Sequence, residues 1–174
     1  MSYREIIKKL QAISTYRGHL HGPAHWLRVE RFGRELAMLS QLNELESRCV
    51  EVFALTHDLG RLDDGSDKQH PVSGSELFIN NSSDFFPDLS HEQIDIIRLA
   101  ILHHSDGLTA GEAYESGLLS SIDYEEEALI TIMGCCWDAD RLDLLRLCMD
   151  INSNYMSTSY WGDVLPLARS LNNF

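Results

Sequence analysis

Five places in this 174-residue chain put a nitrogen or oxygen donor where the hydrophobic pattern puts an interior. They are His25, His57 with Asp58, His70, His103 or His104, and Asp140. His25, Val29, Phe32, Leu36 and Leu39 recur at steps of three and four, so His25 lies on the core-facing row of a helix, near its start. Val50, Phe53, Ala54 and His57 repeat that spacing, and Asp58 follows inward or nearly so. His70, Gly74, Leu77 and Phe78 share a third face. Two rows, Ile96-Leu99-Ala100-His103 and Ile94-Ile97-Ile101-His104, both end in histidine and leave open which ring faces the core. Asp140 interrupts the apolar stripe of Leu129, Ile132, Met133, Cys136 and Leu144. A carboxylate in such a stripe needs a partner, because an unpaired buried charge costs several kcal/mol.

Imidazole and carboxylate without thiolate form a donor set for Mn, Fe, Co, Ni, Zn or Mg and argue against a thiolate-rich structural zinc site. A lone His-Asp dipeptide carries little weight, since chance supplies roughly 0.6 of them in such a composition; the weight comes from the other donors. His25, His57, Asp58 and Asp140 suffice for one divalent ion. His70 and the His103-His104 pair can hold a second that shares Asp58, at the separation of about 3.5–4 Å that two-metal hydrolases use.

The elements that must position these groups are helices. Tyr3 to about Tyr16 has one apolar side, and Pro23 suits the first turn of the helix carrying His25. Asn43 with Glu46 forms a capping box for the helix running through His57 to Gly60, and Ser90 with Gln93 forms another for the helix ending near Gly107. Pro71 places His70 at a helix mouth. The polar stretches RLDDGSDKQ and NNSSDFFPDLS have no periodicity and are expected as loops. Residues 108–124 predict irregular structure or a short helix, Glu125–Glu127 a solvated helix start, and 165–171 a final short helix. With no strand-like alternation, repeat or linker, the chain is expected to be all-α and one domain over 1–174.

The net charge of −13, from 14 basic and 27 acidic residues, argues against extended nucleic-acid binding and leaves room for a small anionic substrate met by local cations. Cys49, Cys135, Cys136 and Cys148 lack metal-site spacing and are expected as buried thiols. No stretch approaches the roughly 18 apolar residues of a membrane span and the N-terminus lacks a signal-like apolar run, so a soluble cytoplasmic protein is expected. Oligomeric state is not legible.

His25…His57-Asp58…Asp140, with the flanks HGPAHWLRVERFG, FALTHDLGR and CWDADRLDL, resembles the HD superfamily of metal-dependent phosphohydrolases over about residues 18–148. The resemblance implies an HD-type helical bundle with His25, His57, Asp58 and Asp140 as ligands at the bottom of a cleft. The extra histidines are similar to those of the two-metal branch, which includes nucleotide and cyclic-dinucleotide hydrolases and a few di-iron oxygenases. The Gly-Tyr-Pro signature of cyclic di-GMP hydrolases is absent after His104, where the chain reads SDGLTAGEAY. The implied activity is hydrolysis of a small phosphate ester or anhydride, a nucleotide before others, with one or two divalent ions. Alternatives are a di-iron oxygenase on the same scaffold and a non-catalytic binding module.

In that reading Asp58 bridges the ions, His21 or His104 donates a proton to the leaving group, and Arg61, Lys68 and Arg141 contact substrate. Asp138 is expected to orient a ligand or Arg141, and Asp143 to be an ion-pair partner. Trp26 and Trp137 are expected in the core, and His19 and His91 outside the site.

Overall fold

The computed structural model describes residues 2–172, and among these the regular structure is entirely helical. In order the α-helices are α1 (Tyr3–Ile13), α2 (Pro23–Leu39), α3 (Glu44–Thr56), α4 (His70–Phe85), α5 (His91–His103), α6 (Ala110–Glu115), α7 (Glu126–Leu142) and α8 (Trp161–Asn172). Short 3-10 turns follow α7 at Asp143–Leu147 and lie at Ser153–Tyr155. Among the described residues no helix is long and apolar enough to cross a membrane.

Local chemistry sets most of the starts. Ser2-Glu5, Asn43-Glu46, Ser90-Gln93 and Thr109-Glu112 form reciprocal capping boxes. Pro23 and Pro71 occupy first-turn positions where a missing N–H goes unnoticed. The Glu125 carboxylate caps α7 by accepting from the amides of Glu127 and Ala128.

The bundle is built around α3. It packs on α2, α5 and α7 and touches α1, and every residue from Val52 to Thr56 is buried. Trp26, Phe32, Phe53, Phe78, Phe86 and Trp137 supply the largest fully buried side chains of the core. Fully burying each such group stabilises the fold by about 1.5–3 kcal/mol. Both Trp26 and Trp137 therefore sit in the core as expected, and the Trp137 indole donates to Ala100 O.

Several boundaries differ from the sequence reading: α5 stops at His103 rather than near Gly107, α8 starts at Trp161 rather than 165, and three more have local causes. Helix α3 stops at Thr56, and residues 57–60 continue as tight turns in which Leu59 N donates to Thr56 O and Arg61 N to Asp58 O. Helix α1 stops at Ile13 because Ser14 turns extended, and the next residues dock on that same turn: Thr15 N donates to Leu59 O and Arg17 N to Leu62 O. Helix α4 runs on through NNSSDF, where Asn81 and Ser82 bond back to helix carbonyls and buried Phe86 anchors the end. Cys148 is exposed, contrary to expectation, because it lies beyond α7 at the end of the 3-10 turn with φ +56°.

Gly60 shows how tightly the turn after α3 meets α4. A Cβ there would fall 2.2 Å from Gly74 N and 2.6 Å from Ser73 C. The reciprocal position, Gly74, would place a Cβ 2.9 Å from His57 O. Gly60→Ala is therefore expected to cost about 3 kcal/mol in urea unfolding. Gly111→Ala, in α6 with nothing within 4 Å, should be neutral or stabilise by up to about 1 kcal/mol. Equal effects of the two substitutions would show that the close approach is not a constraint.

Candidate metal centre

Four donor atoms converge from three elements. His25 comes from the first turn of α2, His57 and Asp58 from the turn after α3, and Asp140 from the last turn of α7. His25 Nε2 lies 3.1 Å from His57 Nε2 and 3.3 Å from both Asp58 Oδ2 and Asp140 Oδ1. His57 Nε2 lies 3.5 Å from Asp58 Oδ2 and 3.4 Å from Asp140 Oδ1. A cation with bonds of about 2.1 Å holds neighbouring ligands about 3.0–3.4 Å apart, which these spacings match.

A second group adjoins the first through Asp58. Its Oδ2 faces His25 and His57, while its Oδ1 lies 3.5 Å from His70 Nε2 and 3.9 Å from His104 Nε2. The two Nε2 atoms of His70 and His104 are 2.9 Å apart. One carboxylate thus serves two clusters, His25-His57-Asp140 and Asp58-His70-His104, each able to offer its ligand atoms to one ion. His21, with Nδ1 2.9 Å from Asp58 Oδ2, forms a third grouping with His25 and Asp58.

The tautomers show that the donor set fits a cation. His57 Nδ1 faces Ala54 O, His104 Nδ1 faces Ile101 O, and His70 Nδ1 faces Asp67 O. A carbonyl oxygen only accepts, so each Nδ1 carries a proton and each Nε2 is turned into the site; the lowered His70 and His104 rings point Nε2 lone pairs there. Lone pairs facing one another at 2.9 Å repel unless positive charge lies between them. His25 Nδ1 is held instead by Asp143 Oδ2 at 2.6 Å. Asp143 is fully buried and also accepts from Arg28 and Arg146. The expected ion-pair role of Asp143 is present, but its bond to His25 is additional: it fixes the ring and raises its basicity.

Charge follows the same pattern. Burial alone would raise the carboxyls of Asp58 and Asp140, yet His57 and His25, joined by His21 at Asp58, hold both well below the usual range. Burial lowers His25, but Asp140, Asp143 and Asp58 outweigh it and push the imidazole up to about 10. Burial, reinforced by neighbouring His57, presses His104 down to about 4, and burial also lowers His70.

The structure brings His21, His25, His57, Asp58, Arg61, His70, His104 and Asp140 together. It leaves His103 out: that ring points away and pairs with Asp106 at 2.8 Å. The reason is that α5 ends at His103, and His104, one step round, bonds back to Ile101 O and turns inward. Lys68 is exposed on the loop before α4. Arg141 gives Nη1 to Tyr155 O and Nη2 to Leu108 O, and it also lines the cavity beside His104. Of the two partners expected for Asp138, Arg141 is the one it meets, with Oδ1 3.9 Å from Nη1; it also accepts from the amides of Ser157 and Thr158 and fastens that segment to α7. Asp64, which spacing did not single out, accepts from the amides of His19 and Leu20 and from Tyr16 OH, and thereby sets the turn that presents His21.

A proton on His25 Nε2 and a cation compete for one lone pair. Between pH 6 and 8, below the raised value near 10, that proton must leave, so apparent metal affinity should rise with pH at a slope of about one. Calorimetry in buffers of different ionisation enthalpy should register about one proton released per first ion. In the metal-free protein the same proton stabilises the fold. That contribution is complete below the ordinary histidine value of 6.5 and is lost as pH climbs toward 10.

The family model of the HD domain matches residues 24–145, a span that begins just before His25 and closes just after Asp143. No match was found among the curated proteins or among the solved structures. With the matched span covering well over half of the sequence, and His25, His57-Asp58 and Asp140 converging within it, the chain belongs to the HD domain family.

Proposed function

We propose that the protein is a metal-dependent phosphohydrolase acting on a small phosphate ester or anhydride, with a nucleotide as the substrate class. The observation that carries this reading is the single carboxylate, Asp58, whose two oxygens face two separate His-containing clusters. A divalent ion, when bound there, would lower the pKa of a water and neutralise charge on phosphoryl oxygens.

The remaining roles belong to the chain. His25, His57, Asp58 and Asp140 would hold one ion, and His70 and His104 with Asp58 a second. His21 is half-buried at the rim, and its Nδ1 is engaged by Asp58, so in the imidazolium form its Nε2–H would be the bond placed to give a proton to a leaving group. Beside His104 opens a cavity of about 310 Å³, lined in part by Arg141, Leu144, Ile151, Tyr155 and Met156. That size lies at the lower end of the roughly 300–1,000 Å³ common for small-molecule pockets. Its largely apolar lining suits a flat, uncharged group such as a nucleobase, next to a site that suits the phosphate.

The test is to assay the purified protein with Mn²⁺ against nucleoside mono-, di- and triphosphates, alongside Asp58→Ala. Wild-type protein should release phosphate, and the variant should lose about a thousandfold or more in turnover while keeping its helical circular dichroism. Activity that survives the substitution would refute the site. A ferric absorption band with oxygen consumption, in place of phosphate release, would assign the scaffold to the oxygenase chemistry instead.

A further inference from the structure

Arg61 belongs to neither face of the reaction as the site has been described, yet it lies inside the second cluster. Its side chain is only 14% exposed. Nε donates to Asp58 Oδ1 at 3.2 Å, Nη2 to His70 Nε2 at 3.2 Å, and Nη1 to Gly65 O at 3.3 Å. Two of the three ligand atoms of the Asp58-His70-His104 group are therefore already engaged by one guanidinium, and at His70 Nε2 it takes the single lone pair that a metal ion would use. The loop that holds it is itself braced: Asp67 accepts from the amides of Leu62 and Gln69, and its carbonyl accepts from His70 Nδ1.

We infer that Arg61 is a built-in competitor for the second cation, occupying the Asp58-His70-His104 subsite so that a metal ion can enter only by displacing the guanidinium. Among the described residues no guanidinium reaches the first cluster, where the competing donor is the ring of His21, with Nδ1 2.9 Å from Asp58 Oδ2. The contacts of Arg61 are to Asp58 Oδ1, whereas the first cluster uses Asp58 Oδ2 with His25 and His57. The planar fork explains why this residue is suited to the part, since it spans a carboxylate oxygen and an imidazole nitrogen at once, which a single ammonium does poorly. The chain then binds its two ions with unequal affinity, the second reduced by the fraction of molecules in which Arg61 stays seated.

This inference rests on the metal-binding reading, and the experiment separates the two. Full-length protein stripped with chelator is titrated calorimetrically with Mn²⁺ and, separately, with Zn²⁺, and bound metal is counted by elemental mass spectrometry. Wild type, Arg61→Gln, and Arg61→Gln combined with His70→Ala are compared, with circular dichroism to establish folding. In Arg61→Gln the second ion should bind at least about tenfold more tightly with the first changed less than about twofold, and the gain should vanish in the double variant. Should Arg61→Gln fail to fold, Arg61→Lys is expected to shift the second affinity in the same direction by a smaller factor. A second-ion affinity that is unchanged or weaker when Arg61 is replaced overturns the inference while leaving the first site standing. A gain that persists without His70 also overturns it, because the ion then enters elsewhere. Failure of every form to bind either metal removes the metal-binding reading itself.

Discussion

Four imidazoles, from His25, His57, His70 and His104, and two carboxylates, from Asp58 and Asp140, meet within a few ångströms of one another, and they cannot stay there without positive charge. This electrostatic demand is the constraint on which the rest of the molecule depends. Coulomb repulsion between such groups is modest in water and severe in a poorly polarisable interior. The protein meets it with cations arranged in depth. The raised imidazole of His25 serves the first cluster, the Arg61 guanidinium serves the second, and Arg28 and Arg146 serve the buried Asp143 behind them.

Holding these groups together requires an element that cannot shift, and α3 meets that need. It is enclosed by α2, α5 and α7, so the His57-Asp58 turn emerges from the most confined part of the bundle. The near-contact of Gly60 with the start of α4 then places His70 a fixed distance from Asp58. Backbone bonds from Thr15 and Arg17 close the other side of the turn, so the residues just before α2 share its position with the ligands. The site is thus built on interior helix ends, where packing restricts the rotamers, and only Arg61 and His21 come from less confined backbone.

What could be read in advance divides along sequence distance. Capping boxes such as Asn43-Glu46 and Ser90-Gln93 are local, so their residues announce themselves. His25, His57, His70 and Asp140 were legible because helical periodicity shows which positions face inward. His103 and His104 were not separable, since neighbours about 100° apart on a helix both fell on apolar rows. Only the end of α5, with the His104 ring bonded back to Ile101 O, decides between them. The work of Asp143, Asp64 and Arg141 was hidden for a different reason. Their partners lie far away in the chain, as with His25 and Asp143, and no spacing rule reaches that far.

The cavity beside His104 owes its outer wall to residues that follow α7, and that wall hangs on two side chains of α7 itself. Asp138 grips the amides of Ser157 and Thr158, and Arg141 grips the carbonyls of Leu108 and Tyr155. Amides and carbonyls are present whatever side chain the residue bears. The fastening therefore does not depend on the side chains of Met149 and Ile151, which line the space. Selection can redraw that lining at Met149 and Ile151 without touching those bonds or Asp140, which sits between Asp138 and Arg141 on α7. The architecture keeps the charged floor of the cleft constant and makes its ceiling interchangeable, which is how one bundle can acquire new preferences while its chemistry stays the same.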